Sequence, residues 1–355
     1  MPLCSQTLKY AGADADTTFT RRSTQLRIYN SRFRLFTNDY KHHFILEYGL
    51  DPQTPNLRYL VRATDDADPL NVTRSGKALR DILYYYTKLT YDYRGRMMVS
   101  PSIYYNRTNN AVSMGYVYDK ATGRRTVTPA SINGNWRAGA GLSLSGALDK
   151  KRLLMFSNNL NADFVNSADY IGSDEAKPMG KSIVKTWNVS ERLRLDYKIG
   201  RHSIGFSGTF SWLRSASDMA AFSTINAYNY NYGLTGMVVL PGEVNLSTDI
   251  TMYSRRGYED ASMNTNELIW NAQVSQTFLK NRAATISVQW YDILRERSSI
   301  SRSISATMRS DSWSNAIHSY VMVHLIYKLN LMGAKGSRTQ GFGGYGGPGG
   351  GRGGR

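Results

Sequence analysis

Side chains on a β-strand point alternately to opposite faces, so a strand set between two unlike environments alternates apolar and polar residues. This chain does so repeatedly. In Ser203 to Trp212, Ile204, Phe206, Gly208, Phe210 and Trp212 fall on one face, and Ser203, Gly205, Ser207, Thr209 and Ser211 on the other. Val244, Leu246, Thr248, Ile250 and Met252 likewise oppose Asn245, Ser247, Asp249, Thr251 and Tyr253. The pattern recurs over 268–275, over 284–290 and over 321–329, where Val321, Val323, Leu325, Tyr327 and Leu329 oppose Met322, His324, Ile326 and Lys328. Such runs exceed the roughly 5 to 6 residues usual for a strand in a soluble sandwich. The pattern therefore predicts an all-β fold.

Composition narrows the choice. Hydrophobic residues make up 41% of the 355, and the 25 Tyr, 6 Trp and 11 Phe are far too many for a disordered protein, so the body of the chain folds. One cysteine, Cys4, excludes an internal disulfide and any multi-cysteine metal centre. No run of about 18 apolar residues occurs, which excludes a transmembrane helix but not strands that alternate lipid-facing and lumen-facing residues. The start, Met-Pro-Leu-Cys-Ser-Gln, does not read as an export signal.

The connections alternate too. Short turns are predicted at Arg94-Gly95, Asp149-Lys150, Gly200-Arg201, Pro241-Gly242 and Lys280-Asn281, with longer polar loops between them. Short turns at one end and long loops at the other make an outer-membrane meander, with the loops outside the cell. Trp136, Trp187, Trp212, Trp270 and Trp290 all lie far from the nearest short turn. At about 2.6 Å of climb per tilted residue they sit roughly 24 to 34 Å above it, the height of an aromatic girdle beyond an apolar band. Tyr91, Tyr93, Tyr197, Phe278 and Tyr327 are placed to form the near girdle. Residues 23–331 are read as an antiparallel transmembrane β-barrel of about 12 to 14 strands, with a best count of 13. An odd count leaves open edges in lipid, so the simplest account is that earlier strands are missing.

Three stretches carry a family resemblance: 261–280 (ASMNTNELIWNAQVSQTFLK), 283–294 (AATISVQWYDIL) and 301–313 (SRSISATMRSDSW). Asp66 to Thr73, Ser190 to Arg194, Ser254 to Tyr258 and Tyr327 to Asn330 fit as well. The chain resembles the C-terminal barrel of the TonB-dependent-receptor-like outer-membrane family common in Bacteroidetes-type bacteria, over about residues 40 to 340. The resemblance implies a 22-stranded barrel in which a plug fills the lumen, located in the cell outer membrane. It also implies uptake of a ligand driven by the TonB system, acting through N-terminal parts outside this sequence. Outer-membrane lipid, lipopolysaccharide and the barrel-assembly machinery are the expected partners. The last strand, Tyr320 to Leu329, is the candidate for recognition by that machinery, although a Gly-rich tail follows it.

The expected ligand-facing surface is the set of loops 51–80, 118–128, 172–181, 215–227 and 295–312. Arg192, Arg194, Asp196 and Lys198, with Arg137 on its own strand, fall on polar faces. Two readings stand for them: an ordinary solvated lumen, or a charged lumen that steers an anionic substrate or docks the plug. Glu191 breaks the alternation by falling on the Trp187, Val189, Leu193, Leu195 face, and is expected above the apolar band or at a bulge. His42 and His43 are adjacent on a strand and so point to opposite faces, which argues against a metal site. No phosphate loop or nucleophile elbow occurs, so neither an enzyme nor a cofactor is expected.

Residues 1–22 match no pattern. Residues 332–355, with 12 Gly among 24, form a flexible tail. Four of the tail's residues are basic, out of a formal net charge of +17, and Arg352-Gly-Gly-Arg355 with Phe342 and Tyr345 resembles RNA-binding RGG segments. Two arginines are a thin signal, and no nucleic-acid partner is expected. A non-transporting adhesin or structural barrel is the other alternative, because a fold does not specify a function.

Overall fold

In a computed structural model the protein is almost entirely strand. It describes residues 3–328 apart from 13–14, 25–27, 60–63, 65, 75, 77–78, 120, 172–179, 220–221, 259–260, 280–281, 298, 305–308 and 316. In chain order the strands are β1 (Leu3–Gly12), β2 (Ala15–Thr24), β3 (Ile28–Phe36), β4 (His42–Gln53), β5 (Asn71–Thr73), β6 (Ile82–Arg94) and β7 (Met97–Asn109). They continue with β8 (Ala111–Asp119), β9 (Arg124–Ile132), β10 (Asn135–Ala147), β11 (Leu154–Ile171), β12 (Gly180–Ile199), β13 (His202–Ser217) and β14 (Ile225–Leu240). The last six are β15 (Val244–Arg256), β16 (Asn266–Phe278), β17 (Ala284–Tyr291), β18 (Ser299–Ile304), β19 (Arg309–Ser314) and β20 (Tyr320–Tyr327).

Thirteen strands form one sheet in the order β20-β17-β16-β15-β14-β13-β12-β11-β10-β7-β6-β4-β3, every pair antiparallel. The order follows the chain once three small elements are set aside. These are the β1–β2 hairpin over the unassigned N-terminal residues, the β18–β19 hairpin, and β5 with β8 and β9. Connections of two to six residues close one end of the sheet, at 37–41, 95–96, 148–153, 200–201, 241–243 and 279–283. At the other end lie 54–81, 110–134, 172–179, 218–224, 257–265 and 292–319. Gly200 and Gly242 take φ of +60° and +79°, the left-handed backbone that tight turns need and glycine adopts without cost. The predicted turn at Lys280-Asn281 lies outside the described residues, as does the tail from 332 onward.

Residues paired across a ladder share a face, so the registers sort every side chain of the sheet. One face carries Phe33, Leu46, Leu89, Ile103, Leu160, Ile204, Leu234, Val274, Val288 and Val323, all exposed, with Leu234 at 52% and Val323 at 67%. An apolar sheet face of this extent is stable only against another apolar phase, and here it is the lipid face. The buried apolar residues lie mainly elsewhere. Val72, Leu79, Ile132, Ala168, Val184, Ile225, Ala227 and Met263 are all at the loop end, near the long connections.

Three predicted loops contain more paired backbone than expected. In 215–227, β13 runs to Ser217 and β14 starts at Ile225, leaving only 218–224 between them. The 118–128 segment is the tip of the β8–β9 hairpin, and 295–312 contains β18 and the start of β19. Polar sequence misled here because strands that rise past the lipid lose their apolar face but keep their ladder hydrogen bonds. Of 172–181, residues 172–179 lie outside the described residues and β12 begins at Gly180.

Glu191 also corrects an expectation. It lies in unbroken register, opposite Leu160 on one side and Phe210 on the other, with no bulge. It is six residues above Tyr197 and four below Trp187, roughly 16 Å and 10 Å along the climb, so it sits inside the apolar band. Its Oε1 accepts a hydrogen bond of 2.7 Å from the Nδ2 of Asn158, a diagonal neighbour on the same face, which is what makes the position tolerable. Glu191→Gln keeps an acceptor for Asn158 and removes a charge from lipid. It is expected to raise folding stability in bilayer vesicles by about 1 kcal/mol, the lower range for acidic groups on a lipid face. A loss of stability would show that the charge has a partner in the membrane.

Candidate functional site

The inward face is lined by Ser, Thr, Asn, Gln and most of the charged residues of the sheet. A hollow of about 870 Å³ lies over β14 to β17 and β20. Asp249, Tyr253, Arg255, Glu267, Gln289 and His324 are among its walls. At its loop end, Arg255 Nη1 lies 2.5 Å from Glu267 Oε1 and donates also to Thr265 Oγ1 at 3.1 Å. Glu267 in turn accepts from the Thr265 hydroxyl at 2.8 Å. The Glu267 side chain is only 7% exposed and that of Arg255 20%, so this ion pair is largely withdrawn from water. Deeper in the hollow, Asn271 Nδ2 donates to Asp249 at 2.8 Å.

The connection after β17 folds back over this end. Asp292, buried at 1% exposure, accepts the backbone N–H groups of Glu296 and Arg297, each at 3.1 Å. Glu296 then accepts the Leu268 N–H at 2.7 Å, and the closure brings Arg297 to the rim of the hollow. In the sequence Arg255, Glu267 and Asp292 fall just beyond the alternating runs 244–253, 268–275 and 284–290, inside stretches that carry the family resemblance but with no role of their own. What joins them is the pairing of β15 with β16 and a loop closure, neither of which sequence spacing encodes.

The predicted lumen charges all face inward but do not form one cluster. Arg137 on β10 donates to Asp163 Oδ2 at 2.6 Å, and Asp163 also accepts the Tyr104 hydroxyl. Gly139 permits this, since a Cβ there would stand 2.7 Å from the Tyr104 ring. On β12, Arg194 makes a two-point bond to Asp196, at 2.6 and 3.0 Å. Arg192 and Lys198, on either side, make no ion pair among the described residues. The five residues thus run down the lumen wall rather than converging on a point.

The predicted girdle residues Trp136, Trp187, Trp212, Trp270 and Trp290 all face outward, as do Tyr91, Tyr93, Tyr197, Phe278 and Tyr327. Tyr105, Trp136, Phe164 and Trp187 form a continuous row, with ring centroids 6.0, 5.1 and 4.8 Å apart. Three indole N–H groups donate to polar side chains: Trp212 to Asn226, Trp270 to Thr248 and Trp290 to Ser319, at 2.7 to 2.9 Å. A ring with an apolar body and a satisfied polar edge suits the margin of a bilayer. His42 and His43 part to opposite faces, His42 to the Tyr91 hydroxyl at 2.7 Å and His43 to the Tyr40 carbonyl at 2.8 Å.

Two carboxylates shape the outer loops. The Asn71 side-chain amide and the Leu70 N–H donate to Asp68, and the Thr122 hydroxyl and Ala121 N–H donate to Asp119 at the β8–β9 tip. These bonds, from Asn71 and Thr122 foremost, favour the ionised forms and hold both pKa values below the usual carboxylate range. A depressed folded pKa means the contribution is complete above about pH 4 and is lost as pH falls through the lowered value. Amide exchange at Leu70 and Ala121, corrected for intrinsic rates, is therefore expected to stay slow from pH 7 to 5 and to quicken below about pH 4. Protection unchanged at pH 2 would remove the carboxylates from this role.

A family model described as "Outer membrane protein beta-barrel family" matches residues 34–327. No curated protein matches the sequence. Among solved structures, the chain is similar to one in the FpvAI–pyocin S2 complex, with 11% identity and a TM-score of 0.42 over 81% of this chain and 47% of that one. This chain spans about half the length of that neighbour.

Proposed function

Because the chain belongs to the outer membrane protein beta-barrel family and resides in the outer membrane, we propose that it is the C-terminal part of a TonB-dependent-receptor-like transporter for an unidentified ligand. It is a carrier and not an enzyme. The observation that carries this reading is the width of the sheet. About eight strands enclose a space that side chains fill, 16 to 18 leave an aqueous channel, and 22 leave a lumen wide enough for a plug. Thirteen strands with a polar inner face already exceed what their own side chains can fill.

The strand directions add a constraint. β3 and β20 are the two edges of the sheet, and both run from the loop end to the turn end. Paired with each other they would be parallel. Antiparallel closure takes an odd number of further strands, and nine would complete 22. Unpaired edge groups cost several kcal/mol each in lipid, so closure is obligatory in the membrane. The further strands, the plug and the segment that meets the TonB system belong to a longer gene product. The family resemblance in residues 261–313 supports the same reading.

In this reading the outer loops capture the ligand, and Arg137, Arg192, Arg194, Asp196 and Lys198 line the route past the plug. The outward tryptophans form the outer aromatic girdle, and the barrel-assembly machinery engages β20. The test is to sequence the DNA upstream of Met1 in all frames. An in-frame signal, a plug and about nine strands are expected. A promoter and stop codon immediately upstream would overturn transport in favour of a short, independent barrel.

A further inference from the structure

The outward face of the sheet carries five cations, Arg107, Lys181, Lys185, Arg214 and Arg256, and each lies at the loop end of its strand. Among the described residues no lysine or arginine faces outward in the apolar band or at the turn end of a sheet strand, and the one outward carboxylate is Glu191. Four of the five stand directly across a ladder from an outward aromatic: Arg107 from Trp136, Lys181 from Tyr170, Arg214 from Trp187 and Arg256 from Tyr228. A cation at this level costs nothing in desolvation and meets whatever headgroups fill the outer leaflet.

The five are not equally free. Lys181 donates to the Asn133 carbonyl at 2.7 Å, Arg107 to Asn109 at 2.9 Å, and Arg256 to the Arg255 and Thr265 carbonyls and to Asn266. Lys185 and Arg214 are both exposed and hold no hydrogen bond or ion pair among the described residues. Lys185 lies opposite Ala216 and Arg214 opposite Trp187, so they are diagonal neighbours on one face, roughly 7 Å apart at Cβ. That spacing suits one phosphate held between an ammonium and a guanidinium, with the Trp187 ring beneath to receive the start of the acyl chains.

We propose that Lys185 and Arg214, above Trp187, form a binding site for the phosphorylated headgroup of lipopolysaccharide. The site stands on the lipid side of the wall and does not depend on the transport reading.

Binding of fluorescent lipopolysaccharide is measured on the full chain, extracted from outer membranes in mild detergent. Removing both cations in Lys185→Gln/Arg214→Gln is expected to weaken it about twenty-five-fold, from roughly five-fold per cation. Lys185→Arg/Arg214→Lys is expected to keep binding, and so is Lys150→Gln in a turn at the opposite end. Lipopolysaccharide stripped of its phosphates is expected to bind the unaltered chain as weakly as intact lipid binds the double variant, a comparison independent of whether that variant folds. Inorganic phosphate at millimolar concentration is expected not to compete. Equal affinity for the stripped lipid would overturn the site, and full competition by inorganic phosphate would reassign it to a soluble anion.

Discussion

Leu234→Arg is expected to cost about 2 to 4 kcal/mol of folding free energy in bilayer vesicles, while Thr235→Arg costs under about 1 kcal/mol. The two residues are consecutive on β14 and differ only in face. Leu234 is 52% exposed on the outward side, across from Phe206 and Ile250, which are also apolar. An arginine there has no water and no carboxylate within reach. Thr235 lines the polar hollow with Asp249, so an arginine there is hydrated and finds an acceptor. Denaturant titration of the chain refolded into vesicles reads both numbers. Equal costs, or the larger cost at Thr235, would mean that the apolar face does not meet lipid.

The second large effect is at the hollow's loop end. Glu267→Gln is expected to destabilise the protein by about 3 kcal/mol, because it removes the carboxylate 2.5 Å from an Arg255 guanidinium that is largely withdrawn from water. Replacing both partners with leucine is expected to be close to neutral, since the cost of a buried pair is largely the desolvation of its two ions. An exposed network supplies the contrast. Glu243 bonds Arg201 and Arg282 at 3.1 and 2.9 Å across three turns, yet all three are well solvated. Glu243→Gln is expected to cost under about 1 kcal/mol. If Glu267→Gln cost no more than Glu243→Gln, the Arg255 pair would be hydrated in the membrane and the hollow open at that end.

Most of the membrane-facing design can be read from the chain because it repeats a one-dimensional rule. The alternation in 203–212 and 244–253 assigns each residue to a face, and the ladders β12–β13 and β15–β16 place those residues as the alternation requires. Glu191 marks where the rule runs out. Its face was legible, but its depth and the Asn158 bond depend on the register of β11 against β12, which a single strand does not encode. The loops at 215–227 and 295–312 were misread for a related reason. Outside lipid, backbone pairing persists without apolar alternation, so strand and loop share the same polar composition there.

The amino-acid sequence alone determined that the protein is built of long two-faced strands, that short turns alternate with long connections, and that the aromatics toward both strand ends face outward. Each follows from local periodicity and turn chemistry, in which a residue's role depends on its near neighbours. The tertiary structure decided which charges meet: Arg255 with Glu267, Arg137 with Asp163, Lys185 beside Arg214. It also decided that the two edge strands run the same way. Those facts depend on register between strands and on loop closure, where residues far apart in the chain are held together by backbone hydrogen bonds that every sequence can make.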